Sequence, residues 1–153
     1  MKIYEGKLEA AGKKVAIVIS KFNSIVSDRL LEGAMNAYYQ MGGDDKDVDV
    51  YKVTGSYEIA GVAKKLMAQK KYNAIVCLGA IIRGGTPHFE YVSSNSAKAI
   101  MELSMSGEVP VIYGLITADD IEQALDRAGL KSGNKGYDAM KSAMEMVSLY
   151  NQI

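Results

Sequence analysis

The sequence predicts an α/β fold in which helices cover both faces of a parallel sheet, and three observations support this prediction. Short apolar runs, such as residues 15–19, have the continuous hydrophobic character of strands that are buried on both faces. The longer segments between these runs repeat apolar residues at helical spacing. Strand and helix signals alternate four times along the chain, and such alternation favours parallel strands joined by right-handed crossovers.

The first half of the chain predicts two strands and two helices. After the first strand, six apolar residues recur at helical spacing: Val26, Leu30, Ala34, Ala37, Tyr38 and Met41. The glycine pair at 42–43 ends this helix. Residues 47–53 alternate polar and apolar side chains and predict the second strand. Residues 56–69 predict the next helix, with Ser56 as its N-cap and Glu58 in the first turn, where the helix dipole favours a carboxylate.

The second half begins with a third strand at residues 74–78, which ends at Gly79 or soon after it. A long helix follows the loop at residues 84–87, and five of its residues form one stripe: Phe89, Val92, Ser96, Ile100 and Leu103. Residues 109–116 then predict the fourth strand.

The end of the chain predicts two more helices. Thr117 is expected to cap the first of them, with Asp120 at its third position. A glycine-containing turn at residues 129–136 leads to the last helix, residues 137–153. The elements together predict a three-layer α/β/α sandwich with a central four-stranded parallel sheet of the flavodoxin-like kind. Residues 1–12 could form an extra edge strand, either here or on a neighbouring subunit.

The length and charge of the chain exclude several classes of function. A chain of 153 residues fits one domain, residues 1–153. It carries 18 basic and 18 acidic residues, so no global field recruits nucleic acid or an anionic membrane. No stretch approaches the ~20 apolar residues of a membrane span. An anionic ligand would therefore need a local binding site.

The single cysteine, Cys77, lies inside the third apolar run. One cysteine excludes an intrachain disulfide, and together with the single histidine, His88, it supplies too few ligands for a zinc site. We interpret Cys77 as a small buried hydrophobe rather than a reactive thiol. The N-terminus lacks the apolar core of a signal peptide, so we expect a cytoplasmic protein.

The loops after the first two strands contain candidate binding residues, because ligands of such folds bind beyond the carboxyl ends of the strands. Phe22 follows the first strand, and its ring could stack on a planar heterocycle or anchor the helix entry as a hydrophobic staple. Ser56, Tyr57 and Glu58 follow the second strand and offer helix-start N–H groups, a hydroxyl and a carboxylate to a polyol. A simple capped helix is the alternative interpretation.

The loop after the third strand predicts an anion site beside a base. Gly84 and Gly85 allow the backbone to approach an anion, and the Thr86 hydroxyl and the helix-start N–H groups can bind phosphate. His88 lies in the first helical turn, where the positive helix end disfavours imidazolium, so we expect a neutral ring that can accept a proton. A surface or capping histidine is the alternative. Neither a P-loop nor a Gly-x-Gly-x-x-Gly motif is present, and no feature assembles a catalytic triad.

Two cations flank the turn before the last helix. Arg127 suits bidentate phosphate binding, and Lys135 lies on the far side of the turn. A cation at a helix end also compensates the helix dipole, so this second interpretation of Arg127 stays open. The residues alone thus predict a site for a phosphate and a ring in an α/β domain.

Six segments together resemble the lumazine synthase family. They are Ser20-Lys21-Phe22-Asn23, Gly55-Ser56-Tyr57-Glu58-Ile59, Ile82-Arg83-Gly84-Gly85-Thr86-Pro87-His88-Phe89-Glu90-Tyr91, Gly114-Leu115-Ile116-Thr117, Glu122-Gln123-Ala124-Leu125-Asp126-Arg127-Ala128-Gly129 and Gly133-Asn134-Lys135-Gly136. They occur in the family's order and cover nearly the whole chain. The resemblance implies the penultimate step of riboflavin biosynthesis. In that step 5-amino-6-(ribitylamino)uracil condenses with 3,4-dihydroxy-2-butanone 4-phosphate to give 6,7-dimethyl-8-ribityllumazine, phosphate and water.

The resemblance implies which residues would hold the pyrimidine substrate. Phe22 would stack on its ring. Ser56 and Glu58 would hold the ribityl chain, helped by backbone groups of Tyr57. Three residues would line the ring, largely through their backbones: Ala80, Ile81 and Ile82.

It also implies how the second substrate would be bound. Three residues would bind its phosphate: Gly85, Thr86 and Arg127. Lys135 would be a further cation near the phosphate, His88 would transfer protons, and Tyr113 of an adjacent subunit would close the pocket. The resemblance implies no metal and no organic cofactor.

Three residues depart from the family's usual pattern. Thr54 and Ala60 stand where prolines are usual, and Tyr113 stands where phenylalanine is often found. None of these changes removes a reacting group, so we expect them to affect affinity more than activity. They leave a second interpretation open, in which the chain is a non-catalytic, shell-forming scaffold or a flavin-type binding protein on the same fold.

The resemblance finally implies a homo-oligomer. The family's enzymes are pentamers whose active sites lie between subunits, and some assemble twelve pentamers into an icosahedral shell. The short turn at residues 129–134 resembles the shell-forming members, so we expect the 60-subunit form.

Overall fold

The computed structural model describes residues 1–131 and 133–153. Within these ranges four strands form one sheet: β1 (Val15–Ser20), β2 (Val48–Val53), β3 (Ala74–Ile82) and β4 (Val111–Ala118). They pair in the order β2-β1-β3-β4, and every pairing is parallel. The predicted four-stranded parallel sheet and its flavodoxin-like α/β arrangement are confirmed.

Five α-helices of the described ranges cover the two faces of the sheet: α1 (Ser24–Gln40), α2 (Ile59–Ala68), α3 (His88–Ser106), α4 (Ile121–Arg127) and α5 (Lys135–Tyr150). Alternate residues of β1 point to opposite faces. Ile17 belongs to the apolar cluster that contains Leu30 of α1 and Met140 of α5. Val18 belongs to the second cluster, which contains Ile59 of α2 and residues of α3. All six residues of β1 are buried, as its continuous apolar run predicts for a strand covered on both faces.

The carboxyl ends of β3 and β4 extend further than the sequence predicts. β3 runs through Gly79 to Ile82, because Ile82 still pairs with Ala118 at the end of β4. The predicted strand, residues 74–78, is confirmed, but its end is too early because β3 continues past Gly79 to Ile82. The extension brings Ala80 and its neighbours to the edge of the sheet where the loops carrying Phe22 and Ser56 also emerge.

Two predicted helix caps are wrong. Ser56 is buried and begins a 3-10 turn, Ser56–Glu58, whose N-cap is Gly55. Glu58 Oε2 accepts a hydrogen bond from the Gly55 N–H at 3.0 Å. Glu58, rather than Ser56, thus supplies the side-chain acceptor at this helix start.

Thr117 is not a cap either, because it lies inside β4. Asp120 is the N-cap of α4, and its carboxylate accepts from the Gln123 N–H at 2.8 Å. The last helix begins at Lys135, two residues before the predicted start, because Asn134 caps it by accepting from the N–H groups of Gly136 and Tyr137.

Residues 1–10 form no strand in the structure, so an extra edge strand within this sheet is wrong for the single chain, while pairing with a neighbour stays a prediction. Ala10 N–H donates to the Met41 carbonyl at 2.8 Å, and Gly6 lies against Glu145 of α5. Ser132 belongs to the turn that predicts a 60-subunit shell and lies outside the described residues. In the ranges that are described, no helix is both long and apolar enough to cross a membrane.

Candidate active site

A cavity of about 460 Å³ opens at the carboxyl ends of β1 and β3, beside the start of α3. We call it the sheet-end cavity. Eight of the predicted site residues line it: Phe22, Ser56, Tyr57, Glu58, Ala80, Ile81, Ile82 and His88. Six lining residues were not predicted as site residues: Asn23, Thr54, Gly55, Phe89, Tyr91 and Val92. Phe89 and Val92 were assigned to the core stripe of α3, and they are partly buried against the core as well as facing the cavity.

The loop that carries Phe22 is held by backbone hydrogen bonds to the end of β2. Lys21 N–H donates to the Val53 carbonyl at 2.7 Å, and Phe22 N–H donates to the Thr54 carbonyl at 3.1 Å. The Phe22 side chain remains 71% exposed, which excludes the hydrophobic-staple interpretation because a staple residue must pack against the helix. The ring is therefore presented to the cavity and can be covered by a ligand.

Asn23 joins this loop to the third strand. Its backbone adopts the left-handed conformation with φ 59°, which asparagine tolerates better than most residues. Its side-chain amide donates to the Ala80 carbonyl at 2.9 Å. The bond fixes the spacing between Phe22 and the strand end that lines the same cavity.

His88 is the first residue of α3, and its side chain is exposed at the rim of the sheet-end cavity. Its backbone N–H lies 3.4 Å from the Thr86 hydroxyl oxygen. Gly85 and Thr86 are exposed in the loop just before it and are not among the residues that line the cavity. His88 thus lines the cavity and follows the predicted phosphate-binding loop by two residues in the chain.

Arg83 ties this loop to two other elements, a role that the sequence did not indicate. Its Nε donates to Asp119 Oδ1 at 3.0 Å, and its Nη1 donates to Glu90 Oε1 at 2.8 Å. Its guanidinium carbon also lies 4.4 Å from the centre of the Phe89 ring, within the range of a cation–π contact. Arg83 therefore links the end of β4 to the first turn of α3, on which His88 lies.

Three further predicted site residues line a second, separate depression of about 380 Å³ beside β4, which we call the β4-edge depression. It contains Tyr113, Arg127 and Lys135, together with the carboxylate of Asp138. Arg127 is the last residue of α4, and its Nη1 lies 3.3 Å from the Gln123 carbonyl oxygen, so helix-dipole compensation and phosphate binding are both compatible with its position. Burial raises the pKa of Tyr113, which keeps its phenol neutral. Among the described residues, none lines both depressions.

Cys77 is excluded as a nucleophile. Its side chain is completely buried in the core cluster beneath α2 and α3, and burial raises the pKa of its thiol to about 12. A neutral, inaccessible thiol cannot attack a substrate. The interpretation of Cys77 as a buried hydrophobe is confirmed.

Comparison with known proteins assigns the chain to a family. The family model for 6,7-dimethyl-8-ribityllumazine synthase matches residues 12–151, a range that includes both depressions. A 6,7-dimethyl-8-ribityllumazine synthase from Clostridium kluyveri is 46% identical over 153 residues, which cover 100% of this chain and 99% of that protein. The chain belongs to the 6,7-dimethyl-8-ribityllumazine synthase family, the family that its six motif segments resemble.

Proposed function

We propose that the protein condenses 5-amino-6-(ribitylamino)uracil with 3,4-dihydroxy-2-butanone 4-phosphate to form 6,7-dimethyl-8-ribityllumazine. The observation that carries this proposal is the sheet-end cavity, in which an exposed aromatic ring, a polar helix entry and a single imidazole meet. Its volume of about 460 Å³ lies within the range of small-molecule sites.

The pyrimidine would occupy the sheet-end cavity. Phe22 would stack on the planar ring, and the backbone at the end of β3 would contact the ring's polar edge. Ser56 and Glu58 would bind the ribityl hydroxyls, since a hydroxyl and a carboxylate offer the donors and acceptors that a polyol needs. These roles are supported because the loop after β1, the 3-10 turn Ser56–Glu58, the end of β3 and the start of α3 meet at one cavity. The lining of this cavity is mostly apolar and aromatic.

The phosphate of the four-carbon substrate would be bound by Gly85, Thr86, Arg127 and, secondarily, Lys135. Arg127 and Lys135 lie in the β4-edge depression, whereas Gly85 and Thr86 lie beside His88. We therefore propose that the β4-edge depression of one subunit completes the sheet-end cavity of an adjacent subunit, with Tyr113 closing it. The active unit would be a homo-oligomer, and an isolated chain would be inactive.

The reaction requires little from the protein besides the positioning of its two substrates. The primary amine of the pyrimidine condenses with the ketone to an imine and releases water. Phosphate then leaves by elimination, and the second amine closes the ring with loss of a further water. Holding two substrates in a reactive geometry contributes up to about 7–11 kcal/mol in favourable models. His88 would move the protons of the imine and elimination steps, for which one neutral imidazole is sufficient.

The test is the condensation assay with purified protein. Mixing both substrates with the protein should produce the absorbance and fluorescence of the lumazine faster than the spontaneous reaction does. A rate that the protein leaves unchanged would contradict the proposal. The scaffold interpretation predicts that unchanged rate, and it is not favoured, because the 46% identical relative is itself a synthase over its full length.

A further inference from the structure

Ser20, the last residue of β1, carries a buried hydroxyl with an unusual environment. It is 1% exposed, and its Oγ has no hydrogen-bond partner among the residues that the structure describes. Two other buried serines do have partners, since Ser27 Oγ lies 3.4 Å from the Asn23 carbonyl oxygen and Ser96 Oγ donates to the Ser56 carbonyl at 3.3 Å. Because buried polar groups are nearly always hydrogen-bonded, a buried hydroxyl without a partner next to a binding cavity requires an explanation.

The position of Gly79 indicates where the Ser20 hydroxyl points. A Cβ atom added to Gly79 would lie 2.8 Å from Ser20 Oγ and 2.9 Å from Ser56 Oγ. Both hydroxyls therefore converge on the same small space over β3, which is open only because Gly79 has no side chain. Ser56 lines the sheet-end cavity, whereas the buried Ser20 is not among its lining residues.

We infer that Ser20 is a positioning residue that orients the Ser56 hydroxyl toward the polyol chain of the pyrimidine substrate. In the bound state Ser20 Oγ donates a hydrogen bond to Ser56 Oγ, and Ser56 Oγ donates its own proton to a ribityl oxygen. A hydroxyl can accept and donate at the same time, and each bond in such a chain strengthens the next. This inference rests on the proposed function, which assigns the ribityl chain to Ser56 and Glu58.

The burial of Ser20 explains why it would act only through Ser56. The hydroxyl cannot reach a ligand in the cavity, but its proton has no competing acceptor among the described residues. Without a ligand the two hydroxyls make no hydrogen bond with each other; a ribityl oxygen that accepts from Ser56 would turn this hydroxyl so that its oxygen can accept from Ser20. Replacing Ser20 by alanine removes an unmatched hydroxyl, so the free protein should lose no stability, whereas ligand affinity should fall.

The test compares two pyrimidines that differ only in the polyol chain. Titration calorimetry of Ser20→Ala with 5-amino-6-(ribitylamino)uracil should give an affinity about 3- to 10-fold below that of the unmodified protein. With 5,6-diaminouracil, which lacks the ribityl group, the change should be less than about 2-fold. In the Ser56→Ala background, adding Ser20→Ala should have no further effect, because the hydroxyl that it orients is gone.

Ser148→Ala is the control, since it removes the hydroxyl of a partly buried serine on α5 that does not line the sheet-end cavity, and it should leave both affinities unchanged. The inference is overturned if Ser20→Ala binds the ribityl compound normally, if both pyrimidines lose affinity equally, or if the loss persists in the Ser56→Ala background. It is also overturned if Ser20→Ala unfolds at a lower temperature than the unmodified protein. Failure of the unmodified protein to bind the ribityl compound overturns the proposed function as well, so the two failures are distinguishable.

Discussion

The sheet-end cavity and the β4-edge depression differ in both chemistry and construction. The first is lined mainly by apolar and aromatic side chains, with Glu58 as a carboxylate at its polar end. The second presents two exposed cations, Arg127 and Lys135, against one exposed carboxylate, Asp138. The chain has balanced charges overall, so this positive character is local. The difference indicates that one region suits a neutral planar ring and the other an anionic group.

Their construction differs in a way that bears on assembly. The sheet-end cavity is built from the ends of neighbouring strands and is walled by α3. The β4-edge depression lies on the outer strand of the sheet, whose free side can meet another copy of the chain. Under the proposed shared site, contact between two copies of the chain would bring together a substrate pair that needs both regions.

Arg127→Ala should have the largest effect of the variants that separate the two regions. The KM of the four-carbon phosphate should rise about 10²-fold, because a charge-assisted bidentate partner is lost. Affinity for the pyrimidine should stay within about 2-fold, since the pyrimidine site is distinct. Steady-state kinetics and pyrimidine titration measure both quantities, with Arg29→Ala as the control for loss of an arginine elsewhere. Equal losses of affinity for both substrates would show that the two regions do not each recognise a different substrate.

His88→Ala should have the next largest effect, and on turnover rather than binding. We expect kcat to fall on the order of 30-fold, less than the ~10²–10⁴-fold typical of acid–base catalysis, because the amine and ketone condense readily without help. Pyrimidine affinity should change by less than about 3-fold. His88→Gln, which keeps hydrogen bonding but not proton transfer, should be as slow. Normal turnover in either variant would remove His88 from the mechanism.

Phe22→Ala tests the ring-binding region alone. Loss of stacking and of covered apolar area should weaken pyrimidine binding about 10-fold and leave the KM of the phosphate substrate unchanged. Phe22→Tyr should bind nearly normally because it keeps the ring, while Phe22→Leu should resemble alanine. Titration of each variant provides the comparison. A leucine variant that binds as well as tyrosine would argue against stacking.

Arg83→Gln should have the smallest effect, because Arg83 acts by holding the loop between the regions. Exposed ion pairs are individually weak, so kcat should fall only about 3-fold. Arg83→Lys should recover part of this loss, since one ion pair can still form. Lys52→Gln removes an exposed pair with Asp28 at 3.8 Å and should leave kcat unchanged. An Arg83→Gln enzyme that turns over normally would mean that the contacts of Arg83 with Asp119 and Glu90 do not position His88.

Much of the fold could be predicted because its signals are local. The continuous apolar run of β1 and the helical spacing of α1 both come from burial, and five of the six predicted α1 positions are fully buried. The ends of elements were harder to predict. Thr117 and Asp120 are both good caps in isolation, and only the pairing of β4 with β3, which continues to Ala118, decides between them.

Residues that line the sheet-end cavity could be predicted where they closely follow a strand, as Phe22 and Ser56 do. The contacts of Asn23 with Ala80 and of Arg83 with Asp119 join residues 57 and 36 positions apart, and no local pattern indicates such pairs. The sequence also did not indicate that the predicted site residues lie in separate regions of the molecule. Gly85 and Arg127 have equally good phosphate-binding chemistry, and only the fold assigns them to different parts of the molecule.

The measurement that tests the account most directly is activity recovered from mixed subunits. His88→Ala damages the sheet-end cavity, and Arg127→Ala damages the β4-edge depression. If each active site joins these regions from two subunits, unfolding both variants together and refolding them at equal amounts should leave about one quarter of the sites intact. With the four-carbon phosphate held well below its KM, so that both parent variants are nearly inactive, a shared site predicts that the mixture regains about one quarter of the unmodified activity. A mixture no more active than the average of its two parents would contradict it.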